Sequence, residues 1–206
     1  MVRPMQSGLM HDQPSGQAWS LSGSTGTMAA ALAANSIVFA MQSIANDPAK
    51  PDYVRRAPIK IEAMRMTFTA IVASATPVSA TRALRLFKGL DNAQTLPATG
   101  TSLDAITKRT LDSGVDSGLT GAVIATTAAL SVTGFTRGSV PLATFDLTAG
   151  GAVGGRIEYV FFERFNGSAL YLDPGEILCV SNPAAFDALL TWKLTVDVDF
   201  RRRDSL

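Results

Sequence analysis

Apolar and polar residues alternate most strictly over Leu190–Phe200. Trp192, Leu194, Val196, Val198 and Phe200 share one parity, and Lys193, Thr195, Asp197 and Asp199 take the other. Period two marks a strand with one buried and one wetted face. Just upstream, Leu170–Leu172, Asp173-Pro174-Gly175-Glu176 and Ile177–Val180 read as strand, tight turn, strand; Pro at the second turn position and Gly at the third suit a type II turn. Further strands are predicted over Ser36–Ile44, where Ile37, Phe39 and Met41 alternate with Val38, Ala40 and Gln42, and over Ile59–Ala73, opened by Pro58. In the latter, Ile59 and Ile61 have one parity and Met64, Met66, Phe68, Ala70 and Val72 the other. The apolar face therefore switches near Ala63, as a β-bulge or a bend between sheets would make it do.

Weaker patterns complete the set. Thr81–Lys88 reads as a strand with Leu84 and Leu86 inward and Arg82 and Lys88 outward. Phe87 shares a face with Arg85, so that face is expected to be covered as well. Val123–Leu130 is β-prone. Leu142–Leu147 follows Pro141, with Leu142 and Thr144 on one face and Phe145 and Leu147 on the other. Arg156–Phe165 is aromatic and β-branched; Tyr159, Phe161 and Phe165 lie opposite Phe162, which points to burial on both sides, between sheets or at a subunit interface. Gly89–Leu119 is the least regular stretch, with one or two helical turns expected over Leu103–Arg109. A thirty-residue structureless loop is unusual in a compact domain, so this stretch is expected to pack on its own sheet or on a neighbouring subunit. About eight strands between turn signals, with no long helix, predict an all-β chain: an antiparallel β-sandwich or jelly roll. Residues 1–27 are rich in Ser, Gly, Gln and Pro and lack periodicity. They predict a flexible or extended N-terminal arm, and the division adopted is an arm over 1–35 and a sandwich domain over 36–206.

Composition narrows the function. The chain has 206 residues, 47% hydrophobic and only 17% charged, against about 25% charged in typical soluble domains. That balance fits a surface partly hidden in an assembly, or equally a large core under a Ser/Thr/Ala-rich surface. A net charge of +1 leaves no basic footprint for nucleic acid; Arg201-Arg202-Arg203 is the one dense basic run and reads as a solvated tail or a contact with an acidic partner surface. Met28–Met41 is the most apolar stretch, but it is shorter than a membrane span and is interrupted by Asn35 and Ser36. The N-terminus has no apolar signal core, and production in a reducing cytoplasm is expected.

Candidate chemistry is sparse. The one histidine, His11, lies in the arm, so neither a serine nucleophile nor the one cysteine, Cys179, has an evident base. Cys179, in a strand, reads as a small buried hydrophobe. One Cys and one His do not make a zinc motif. Asp197 and Asp199 point to the same face about 6.6–6.8 Å apart, near the spacing of glycosidase carboxyl pairs, but alternating Asp and Lys on a wet strand face is ordinary solubility chemistry. A calcium site there has no loop motif behind it. Glu158, Glu163 and Arg164 read as cross-strand ion pairs. Gly150-Gly151 and Gly154-Gly155 lack the Lys-Ser/Thr of a phosphate loop, and Asn166-Gly167-Ser168 reads as a turn. The carboxylates of Asp173 and Glu176 read as turn supports. Catalytic, cofactor and metal residues are therefore expected to be none.

Ile124–Leu130, the segment around Pro141-Leu142, the Leu170–Val180 pair with its Pro174-Gly175-Glu176 turn, and the closing Trp192–Phe200 strand together resemble phage virion proteins with a jelly-roll, tumour-necrosis-factor-like sandwich. The likeness spans roughly residues 58–203; Asp197, Asp199 and Arg201–Arg203 lie outside its pattern. It implies a non-enzymatic capsid decoration or cement protein on the head surface of a tailed phage, a homotrimer whose partner is the major capsid protein, with no nucleic-acid or membrane partner. Residues 1–45 and 89–120 are the expected contact elements. A carbohydrate- or receptor-binding spike module on the same fold is the alternative, and a glycan hydrolase using Asp197 is the third reading.

Overall fold

The computed structural model describes residues 18–28, 32–45, 58–72, 83–90, 96, 100–103, 107–108, 118–131, 136–147, 156–162, 170–186 and 191–202. Among them there is no helix. The strands, in chain order, are β1 (Ala18–Ser24), β2 (Ile37–Ser43), β3 (Ile59–Val72), β4 (Ala83–Leu90), β5 (Thr101–Ser102), β6 (Thr107–Lys108), β7 (Leu119–Ile124), β8 (Thr136–Arg137), β9 (Ala143–Asp146), β10 (Arg156–Phe162), β11 (Leu170–Leu172), β12 (Glu176–Ser181) and β13 (Thr191–Arg202). They form two antiparallel sheets. The first runs β10-β3-β13-β1-β6, with β11 also on β3; the second runs β5-β7-β2-β12-β4-β8, with β9 also on β4.

The strict alternation of β13 makes it the centre of the first sheet. Trp192, Leu194, Val196, Val198 and Phe200 are all buried. On one side they stand beside Phe68, Met66, Met64 and Ile61 of β3; on the other, Val198 and Phe200 stand beside Leu21 and Trp19 of β1. The parity switch near Ala63 is a bulge: Asp199 pairs with Ala63 and the next residue, Phe200, with Ile61, leaving Glu62 as the extra residue of β3. Both halves of β3 thereby keep their apolar side chains in the core. Ring stacking tightens the layer, with centroids 5.8 Å apart for Trp19–Phe200 and 5.4 Å for Phe68–Trp192, and Phe186 meets Trp192 edge-on at 5.3 Å. Each such pair adds about 0.5–1.5 kcal/mol beyond its buried area.

In the second sheet, Phe39 and Met41, Leu178 and Val180, Leu84 and Leu86, Ala122 and Ile124, and Phe145 share one face by register, and all are buried. Leu103 follows β5, its N–H bonded to Ala122 O, and a Cβ at Gly23 of β1 would run into its side chain. This face is therefore the one turned to the first sheet. Much of the opposite face is buried too: Val38, Ala40, Gln42, Phe87, Val123, Ile177, Cys179 and Ser181 are all inaccessible or nearly so, whereas Thr144 and Asp146 of β9 are exposed there. The cover expected over Phe87 is thus present, and β2 is buried along its whole length.

Pairing is nested. β1 pairs with β13, β2 with β12, β3 with β10 and β11, and β4 with β9. The Asp173–Glu176 turn has the expected type II form, with Gly175 at φ 87° and Glu176 N–H donating to Asp173 O at 2.9 Å. It is a corner between sheets, not a hairpin, because β11 lies in the first sheet and β12 in the second.

Four expectations differ from the structure. Ala18–Ser24, assigned to the arm by the boundary at residue 35, is a full strand with Trp19 and Leu21 in the core; residues 1–17 lie outside the described residues. Thr107-Lys108, expected in a helical turn, pairs with β1 as β6, an extended backbone drawn out by a sheet edge; residues 104–106 and 109 lie outside the described residues. β7 runs from Leu119 to Ile124 and takes in only the first two residues of the β-prone run, and Leu130 returns as a lone bridge to Ile37. Lys88 has the parity of Leu84 and Leu86 and stands opposite Leu178, on the core-facing side; near the end of its strand, its long stem carries the ammonium out to Glu176. Arg82 lies outside the described residues.

Candidate functional site

The first sheet carries its polar residues on the outer face, and the two carboxylates singled out by the sequence lie there. Ser20 donates to Asp199 Oδ1 at 2.5 Å, Ser22 Oγ donates to Asp197 Oδ1, and the Ser24 and Thr195 hydroxyls are 2.6 Å apart. Alternation puts every second side chain of β1 and β13 on this face, and the antiparallel register sets each serine opposite its partner. Asp197 also stands opposite Arg65 of β3, whose Nε is 3.3 Å from Glu158 Oε1 of β10. Both side chains of that pair are exposed, so it contributes at most about 1 kcal/mol. Arg201 Nε sits 2.6 Å from Glu62 Oε1 but off its N–H direction, an ionic contact that occupies the extra residue of the bulge. The face is a set of local pairs: hydroxyl with carboxylate, guanidinium with carboxylate.

A second polar group gathers at the corner between β11 and β12. Glu176 Oε2 accepts from Asp173 N–H at 2.7 Å and lies 2.5 Å from Lys88 Nζ. Ser43 Oγ donates to Asp173 O. These contacts hold the corner against β2 and β4, so Glu176 supports the turn with its side chain as the sequence reading expected. At the other end of β12, Asn182 Nδ2 donates to Ala33 O at 2.8 Å and Ala184 O at 2.7 Å, tying the β1–β2 crossover to the loop after β12.

Among the other residues singled out by the sequence, Cys179 stands apart from both groups. Cys179 is fully buried, as expected, and lies on the outer side of the second sheet. Arg201 and Arg202 belong to β13, so the basic run begins inside the sheet. His11, Arg203, Glu163, Arg164, Asn166–Ser168 and both glycine pairs lie outside the described residues. Among the described residues no three His, Cys, Asp or Glu side chains gather as a metal-ligand group, and no helix is long and apolar enough to cross a membrane. The serine partners of Asp197 and Asp199 were missed from sequence. Their signal was present as Ser at positions 20, 22 and 24 around Leu21, but it sits in a Ser/Gly-rich stretch that composition assigns to an arm.

No family model and no curated protein matches this chain.

Proposed function

We propose that this chain is a structural virion protein, a capsid decoration or cement protein that sits on the head surface of a tailed phage and stabilises it as a homotrimer. The observation that carries the reading is the nested strand pairing, β1 with β13, β2 with β12, β3 with β10 and β11, β4 with β9. A jelly roll is such an arrangement, one long antiparallel ribbon rolled so that its successive pairs alternate between two sheets, and it is the fold implied by the resemblance. The polar pairing on the outer face of the first sheet supports the same reading. Asp197 and Asp199 are held by serines across the β1–β13 seam, an arrangement that ties neighbouring strands together at the surface. The partner is the major capsid protein, with 1–45, apart from the buried β2, and 89–120 as the contact stretches. A stable contact of this kind buries about 1,200–2,000 Å² in total.

The test is light scattering of the purified protein followed by sedimentation with expanded capsids. A trimer that co-sediments saturably is expected. A strict monomer that ignores the capsids overturns the proposal.

A further inference from the structure

We draw no further inference here: the strongest candidate, the outer edge of β10 at the end of the first sheet, carries nothing because nothing in the structure shows what covers it.

Discussion

Trp192 is the largest fully buried side chain, held between Phe68 and Phe186. Trp192→Ala is expected to cost about 3–5 kcal/mol, read as a lower urea midpoint with an unchanged slope. Its indole N–H has no hydrogen-bond acceptor among the described residues, so Trp192→Phe loses volume and stacking but no hydrogen bond, and should retain most of the stability. Equal losses in the two variants would contradict this account. Gly175 gives a different kind of test. A Cβ there would meet Ala45 and Leu90 no closer than 3.5 Å, yet φ is 87°. The penalty of Gly175→Ala is therefore in the backbone, about 1–2 kcal/mol, and thermal melting should show it without loss of the fold. A neutral substitution would mean that the left-handed conformation is not needed.

At the scale of elements, β1 decides how the first sheet closes. It covers Val196, Val198 and Phe200 edgewise, adds Trp19 and Leu21 to the core, and lines its outer side with serines that pair to β13. Deleting residues 1–24 should abolish cooperative unfolding and promote aggregation, followed by circular dichroism and sedimentation. A deletion variant with the parent's melting temperature would restore the reading of this region as a flexible or extended arm. Much of the fold was legible from pattern: β13, β2 and both halves of β3 are long enough for period two to stand out, and the parity switch at Ala63 located the bulge. β1 escaped because it is half serine and glycine, so composition outweighed a short alternation. Thr107-Lys108 escaped because a two-residue edge strand has no period at all; its conformation is set by β1, far away in sequence. Pairing partners and the corner role of Asp173–Glu176 were not legible either, since both depend on residues far apart in sequence. Of the candidate groups, the positions of Asp197, Asp199 and Cys179 were readable from parity. The serines that hold the two aspartates were not, because they belong to the missed strand.

For the molecule as a whole, the second sheet is buried on both faces along β2 and most of β12, and Cys179 lies on the side away from the first sheet with no accessible surface. A thiol reagent should therefore label Cys179 only through unfolding, with a rate that rises with urea in step with the unfolded population. Fast labelling in native buffer would show that the cover over that side opens independently. Core packing and the pairing of the strands in two sheets thus make stability a collective property, in which local polar pairs such as Lys88–Glu176 act mainly to fix corners.

The nested pairing also has a consequence in time. Ser20 and Asp199 are 179 positions apart, and Ser22 and Asp197 are 175. At a synthesis rate of about 5–20 residues per second, β1 leaves the ribosome roughly ten to thirty seconds before the strand that will shield it. During that interval Trp19 and Leu21 have no β13 to bury them, and contacts this distant in sequence also form slowly once the chain is complete. The serines and glycine that hid β1 from pattern reading keep the waiting segment weakly apolar, so the same composition that disguises the strand guards it against premature association.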